Sequence, residues 1–358
     1  MTRSRRARHV PVAVGLWMAL LAASMVAVAR AEDAADAAHP TCPDPAIIGA
    51  KDSAGYYVFG TGRGIPIWFS KDLREWHRVG RVFEAGMPSW AARAIPRARA
   101  IWAPDISFFR GKYHLYYAVS TFGSQRSVIG LAVSETLDPL RPDQPSVGAH
   151  RWEDRGLVIE SAPGKCDFNA IDPALFVDGD GTPYLLWGSY WSGIKATRVD
   201  PATGKPAQQP PKIVPLAARA PGTDPPAIEA PYLIFRDGHY YLFVSWDFCC
   251  AGLKSTYKIM VGRSKSVLGP YLDAEGRGML DGHATLVLAS SQRWRGPGHN
   301  SVLQSERGDW LVHSCYDAEK APGSERVLNV RPLTWNDGWP VAGEPLGSRE
   351  GRQQRLSP

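Results

Sequence analysis

The sequence predicts an all-β chain folded as a five-bladed β-propeller, and three observations carry that prediction. One pattern recurs five times: a polar residue or Trp, a short apolar run, a turn, then an aromatic-rich run. The copies begin at Asp44, Trp102, Asp172, Glu229 and His299, at intervals of 58, 70, 57 and 70 residues. The aromatic run opens 11 or 12 residues after each start, at Tyr56, Tyr113, Tyr184, Tyr240 and Trp310. Each copy also has a second half that reads as another hairpin. Two hairpins per copy give four strands, the content of one propeller blade, and five such units close into a ring. A β-sandwich is the rival all-β architecture, but it gives no reason for five copies to keep a common register.

The elements follow in order. The first halves are DPAIIGAKDSAGYYVFGTG, WAPDISFFRGKYHLYYAVS, DPALFVDGDGTPYLLWGSYW, EAPYLIFRDGHYYLFVSWD and HNSVLQSERGDWLVHSCYD. The second halves are IPIWFSKDLREW, SVIGLAVSETL, SGIKATRVDPATGKP, YKIMVGRSKSVLGPY and VLNVRPLTWNDGWP. Short β-branched and aromatic runs divided by Gly, Asp and Pro turns are antiparallel strands. No long stretch carries the apolar period of an amphipathic helix.

The chain ends read differently. Arg3, Arg5, Arg6 and Arg8 precede an apolar stretch from Val10 to Val28, and Ala29-Arg30-Ala31 supplies small residues for cleavage. This pattern predicts a signal peptide over residues 1–31, cut after Ala31, rather than a membrane anchor. The protein is therefore expected to be secreted or periplasmic. Ser4-Arg5-Arg6 opens like a twin-arginine signal, but Ala7, Arg8 and His9 follow where an apolar pair is needed. Residues 32–348 are expected to form the propeller, with 32–41 as a flexible tail and 349–358 disordered.

Charge and cysteines narrow the function classes. The chain has 41 Lys and Arg against 35 Asp and Glu. Removing residues 1–31 takes away five Arg and no acid, which leaves 36 against 35, a net charge of +1. A nearly neutral chain lacks the concentrated positive surface that nucleic acid requires. Neither nucleic acid nor a membrane is an expected partner, and a monomer is expected. The five cysteines, Cys42, Cys166, Cys249, Cys250 and Cys315, show no CxxC spacing, so a zinc ribbon is excluded. Five is odd, so at least one thiol is left over unless it pairs between chains. Cys249-Cys250 reads equally as a vicinal disulfide or two thiols, and a Cys42–Cys166 bridge is a further open pairing.

The chemistry lies at the copy starts. The first strand of each propeller blade lines the central channel, so the five starts should gather at one mouth. Three are carboxylates, one is aromatic and one is an imidazole, where strand starts packed near the axis would otherwise be apolar. A carboxylic acid and a carboxylate flanking one bond are what glycoside hydrolysis needs, and a Trp beside them suits a sugar ring. Singly, each residue is unremarkable, since Asp-Pro is a common turn signal.

Ordered stretches then match a known family: IWAPDI at 101–106, NAIDP at 169–173, GSYW at 188–191, IEAP at 228–231, Cys249-Cys250 with STYK at 255–258, GPGHN at 296–300 and DGWP at 337–340. In these the chain resembles glycoside hydrolase family 43, in its endo-arabinanase branch, from Asp44 to Gly343. The resemblance implies an inverting hydrolase of α-1,5-linked arabinan or arabino-oligosaccharides, with Asp44 as general base, Glu229 as general acid and Asp172 tuning the acid. A negative Asp172 would raise the pKa of Glu229. The resemblance also implies that His299 helps hold a central cation, calcium first, mainly through water. Asp44, Trp102, Gly130, Asn169, Ser189, Tyr190 and Trp191 match positions near the sugar, Gly130 by letting backbone approach the ligand. Two positions depart from the family: Pro43 where His often precedes the catalytic Asp, and Asp281-Gly282-His283-Ala284 at the glycine-rich turn after the fourth blade.

Two weaker signals fail. Asp178-Gly-Asp180-Gly181 opens like a calcium loop, but position 189 is Ser, so it reads as the hairpin turn of the third blade. Gly60-Thr-Gly-Arg-Gly64 lacks the GK[ST] ending of a phosphate loop. Rivals to an endo-arabinanase are an exo-acting arabinofuranosidase or β-xylosidase on this scaffold and, in another class, a catalytically silent glycan-binding propeller.

Overall fold

The computed structural model describes residues 39–51, 54–137, 152–320 and 325–347. The expected signal peptide, its cleavage site and the expected tail after Arg349 lie outside the described residues. The strand pattern resolves into five antiparallel sheets, and each sheet is one continuous stretch of chain. Blade one is β1 (Ala46–Gly49), β2 (Tyr56–Phe59), β3 (Pro66–Ser70) and β4 (His77–Arg81). A short helix, α1 (Ser89–Ala94), leads to blade two: β5 (Trp102–Phe109), β6 (Lys112–Val119), β7 (Ser127–Ser134) and β8 (Glu153–Ser161). Blade three is β9 (Ala174–Val177), β10 (Pro183–Trp187) and β11 (Ile194–Asp200), with β12 (Lys205–Pro206) and β13 (Val214–Ala217) both pairing with β11. Blade four is β14 (Ile228–Arg236), β15 (His239–Trp246), β16 (Lys258–Ser264) and β17 (Thr285–Leu288). Blade five is β18 (Trp294–Ser305), β19 (Gly308–Asp317), β20 (Val327–Asn336) and β21 (Trp339–Ala342).

In blades two and four the expected second hairpin holds only the third strand. The outer strands, β8 and β17, come later, after residues 138–151 and after the 265–284 segment. Both are partly solvent-exposed edges, so the inward-outward alternation that marks a strand is faint in their sequences.

Strands alternate their side chains, so each blade buries one face against each neighbour. Five apolar cores result. Tyr57 and Phe59 meet Ile106 and Leu115 between blades one and two. Tyr116 and Ile129 meet Leu185 and Trp187 between two and three. Leu186 and Ile194 meet Leu242 and Val244 between three and four, and Tyr241 and Phe243 meet Val302 and Leu311 between four and five. Ile47 and Trp68 meet Leu303 and Val312 between five and one, which closes the ring. Ser301 Oγ reinforces the closure by donating to Pro45 O at 2.8 Å.

Residues 39–41 are not the expected tail. Cys42 N–H donates to Arg326 O at 3.0 Å, and Leu328 N–H donates to Pro40 O at 2.8 Å, so this segment pairs along the edge of β20. The buried His39 ring packs against Trp294 at a tilt, with centroids 4.9 Å apart. Open backbone groups at that edge and an apolar platform hold the segment in place. The Asp178–Gly181 segment is the turn between β9 and β10, as expected.

The heads of the five inner strands share one backbone feature. Asp44, Ala103, Asp172, Ala230 and His299 all have left-handed φ, between 43° and 56°. Trp102 and Glu229 therefore sit one residue ahead of the positions that Asp44, Asp172 and His299 occupy. The copy starts reach one mouth, but from two adjacent registers rather than one. A non-glycine residue in this region is strained, and such strain persists only where its surroundings enforce it.

Candidate active site

The five strand heads surround a cavity of about 730 Å³, lined by Asp44, Trp102, Asp172, Glu229 and His299 among others. The left-handed turn at Asp44 delivers its carboxylate into a polar cradle. Arg326 Nη1 donates to Oδ1 at 2.6 Å and Nη2 to Oδ2 at 3.1 Å. Thr61 Oγ1 donates to Oδ2 at 2.5 Å and itself accepts the Ala103 N–H at 2.7 Å, which ties the cradle to blade two. His299 Nδ1 lies 3.3 Å from Oδ1. Burial pushes the Asp44 carboxyl up, but the Arg326 guanidinium, His299 and the Thr61 hydrogen bond outweigh it and hold the group below the ordinary aspartate value. Asp44 is thus ionised at neutral pH.

Glu229 is the second residue of β14. Its Oε2 accepts from Ser189 Oγ at 2.8 Å and its Oε1 from Tyr257 OH at 2.7 Å. The backbone is held too: Ser189 pairs with Glu229 as a β-bridge, and Tyr190 N–H donates to Ile228 O at 2.8 Å. Asp172 is buried and accepts the Ala230 N–H at 3.1 Å. Burial raises the Glu229 carboxyl against the two hydroxyl hydrogen bonds, with Asp44 adding repulsion. Burial raises Asp172 well above the usual range, and the charges of Glu229 and Asp44 add to it. The sequence expectation of a plainly negative Asp172 is therefore incomplete. Glu229 and Asp172 are neighbouring carboxyls whose charges disfavour one another, so the raised hold on a proton belongs to the pair and not to either group alone.

The residues matched to sugar positions divide. Trp102, Asn169, Ser189, Tyr190 and Trp191 line the cavity. Asn169 is fixed by Ser127 Oγ, which donates to its Oδ1 at 2.6 Å. Tyr190 and Trp191 both have left-handed φ, 54° and 42°, which turns the chain sharply at the rim. Gly130 is not there. It sits on β7, buried between strands, where an added Cβ would come within 2.4 Å of Tyr117 Cζ and 2.8 Å of Trp90 Cζ2. Its missing side chain makes room for those rings, which share Asp154 as hydrogen-bond acceptor, and not for a ligand.

Several functional groups escaped the sequence reading. Arg326 and Thr61 hold Asp44 from outside the inner strands, so the strand-head register does not include them. Tyr257 lies inside the STYK stretch, which was legible only as a family match. Phe122 (82 % exposed) and Phe248 (47 % exposed) stand at the rim. Cys249 and Cys250 form a vicinal disulfide that lines the cavity. Cys42, Cys166 and Cys315 are free thiols, so the Cys42–Cys166 bridge does not form.

The donor set around His299 limits what cation it could hold. Burial lowers the imidazole pKa, the Asp44 charge raises it and Arg326 lowers it, with a net decrease. The ring is neutral, and the Asp44 oxygen facing Nδ1 favours a proton there, which leaves the Nε2 lone pair free to ligate. Among the described residues no three His, Cys, Asp or Glu side chains are grouped to hold an ion, and the Arg326 guanidinium is close by. This set fits an ion held by one imidazole nitrogen and water. It does not fit calcium caged directly by protein oxygens.

Comparison with known proteins agrees with the fold. The profile of Glycosyl hydrolases family 43 matches residues 39–340. The chain is 41% identical over 302 residues to the extracellular endo-α-(1→5)-L-arabinanase 1 of Bacillus subtilis (strain 168), covering 83% of this chain and 86% of that protein. It is 38% identical over 351 residues to the extracellular exo-α-(1→5)-L-arabinofuranosidase ArbA of Cellvibrio japonicus (strain Ueda107), covering 94% and 96%. The structure of a family 43 endo-arabinanase from Bacillus licheniformis superposes with a TM-score of 0.74 at 42% identity, covering 84% of this chain and 97% of that one. The chain belongs to glycosyl hydrolase family 43.

Proposed function

We propose that this chain is an exported, inverting glycoside hydrolase that cleaves internal α-1,5-L-arabinofuranosidic bonds of arabinan. One observation carries the reading. A single cavity holds a carboxylate kept ionised by a guanidinium, Asp44, and a carboxyl pair whose hold on a proton is strengthened by burial and mutual repulsion, Glu229 with Asp172. That asymmetry is what acid-base cleavage of a glycosidic bond requires. The names of the similar proteins supply the sugar. The term extracellular in two of them, with the signal-like residues 1–31, supports export.

The roles follow from the protonation states. Asp44 accepts a proton from the attacking water, with Arg326 and Thr61 fixing its plane. Glu229 gives its proton to the departing glycosidic oxygen while Ser189 and Tyr257 hold its two oxygens in place. Asp172 keeps that proton available through like-charge repulsion. Trp102, Tyr190 and Trp191 offer ring faces and Asn169 a polar edge to the sugar. A cation, calcium first, would be held by His299 and water and would supply positive charge on the channel axis.

The exo-acting arabinofuranosidase is the second reading, because one relative named above carries that activity. Product analysis on debranched arabinan separates the two. Early release of mixed oligosaccharides with a rapid drop in viscosity supports internal cleavage. A single short product with slow viscosity loss supports the exo reading, and no release from arabinan rejects both.

A further inference from the structure

The Cys249–Cys250 disulfide needs an explanation that stability does not supply. A cross-link stabilises a fold mainly by removing the closure entropy of the loop that it spans. This one joins adjacent residues, with Cα atoms 3.8 Å apart, and closes no loop. It is the one disulfide among the described residues. Its position is the informative feature: both cysteines line the cavity that holds Glu229, next to the half-exposed Phe248.

The segment carrying it is tightly built. Phe248 O accepts the N–H groups of both Thr256 and Tyr257 at 3.1 Å, and Phe248 N–H donates to Thr256 Oγ1 at 3.2 Å. Ala251 N–H donates to Ser255 Oγ at 3.0 Å. Cys250 has a left-handed φ of 64°, a conformation that a side chain disfavours and that these closures enforce. The segment leaves β15, which pairs with the strand of Glu229, and returns to Tyr257, whose hydroxyl holds Glu229 Oε1. The sulfur pair and the acid thus belong to one wall of the cavity, contributed by blade four. Trp102 and Phe122 line it from blade two.

Sulfur is polarizable and a weak hydrogen-bond partner. A rigid sulfur edge therefore matches the C–H surface of a furanose ring and not its hydroxyls. Glu229 protonates the leaving oxygen in the mechanism above, so its wall flanks the leaving half of the substrate. We propose that the Cys249–Cys250 disulfide is a sugar-contacting surface on the leaving-group side, which sets affinity for arabinan chains. The inference rests on the arabinan reading of the site.

Two measurements test it. The first uses Glu229→Ala protein, so that ligand survives. Dithiothreitol reduces the disulfide, and alkylation of the released thiols gives the rate by peptide mass spectrometry. Saturating linear arabinohexaose should slow reduction about three- to tenfold, and xylohexaose should not. Calorimetry on the same samples reports binding itself. Absent binding rejects the arabinan reading and this inference with it. Binding without protection rejects the disulfide contact alone.

The second measurement compares the Cys249→Ser/Cys250→Ser double variant with wild type. KM for arabinohexaose should rise about three- to tenfold with kcat nearly held, and the loss in kcat/KM should be larger for arabinohexaose than for nitrophenyl arabinofuranoside. An unchanged KM, or equal losses on the two substrates, overturns the proposal. If the variant misfolds, the protection measurement decides.

Discussion

Arg326 grips Asp44 with both terminal nitrogens, at 2.6 and 3.1 Å, across 282 residues of sequence. The contact joins the residue just before the third strand of blade five to the head of blade one, so the ring closes on the ion pair. It also settles the protonation state of Asp44, because without that cation burial would push the carboxyl up.

Arg326→Ala should therefore act through pH as well as rate. Asp44 has a lowered pKa in the folded protein, so it is ionised over the working range and loses its charge only in acid. Removing Arg326 raises that pKa, and the acid limb of the pH–rate profile should move to higher pH. Removing one partner of a buried ion pair also costs about 3–5 kcal/mol of stability. A pH profile and a thermal melt check both effects. An unmoved acid limb would show that Arg326 does not set the charge of Asp44.

Glu229→Ala and Asp44→Ala should each cost about 10²–10⁴-fold on arabinan, the usual worth of a positioned acid or base. They should part on nitrophenyl arabinofuranoside. Its leaving group needs little protonation, so Glu229→Ala recovers part of the rate and Asp44→Ala does not. Rescue of Asp44→Ala alone would reverse the assignment. The two losses share one site and should not add.

Asp172→Asn removes a like charge from the Glu229 pair. The pKa of Glu229, raised in the intact site, should fall. The alkaline limb, which marks loss of the acid's proton, should then move to lower pH while the acid limb stays. A profile measured on arabinan reads this directly, and a fixed alkaline limb would remove Asp172 from any tuning role.

Metal removal tests His299. If its imidazole and water hold an ion, elemental analysis of purified protein should find one cation per chain. Chelation should lower activity, and His299→Ala should lose the ion. A metal-free His299→Ala protein with full activity would eliminate the ion from the mechanism.

Asp105 offers a stability prediction outside the chemistry. It is 4% exposed on β5, accepts the Leu175 N–H at 2.7 Å and has its pKa raised by burial to about 7. Between its unfolded value and about 7 the folded state binds a proton that the unfolded state has lost, so stability falls as pH rises through this window. Asp105→Asn should flatten the decline of Tm between pH 4.5 and 7.5, since its amide oxygen can still accept from Leu175. Melts of both proteins across that range check it, and parallel slopes would contradict the raised pKa.

The sequence by itself determined the five-blade architecture and the three carboxylates. Strand alternation, turn residues and a repeated offset are local signals, and a ring built from sequential units needs little else to be specified. Asp44, Asp172 and His299 were legible because they recur at one strand-head position, and Trp102 and Glu229 because they fall one residue from it. Only the tertiary structure decided which other groups reach the cavity. Thr61, Arg326, Tyr257 and the Cys249–Cys250 pair come from turns and later strands with no shared register. Gly130 misled for a related reason: a glycine in a strand signals close approach without saying by what, and here the neighbours are Tyr117 and Trp90. Charge state is likewise beyond sequence, because the pKa values of Asp44 and of the Glu229–Asp172 pair depend on burial and on cations and carboxylates that lie near only after the ring has closed.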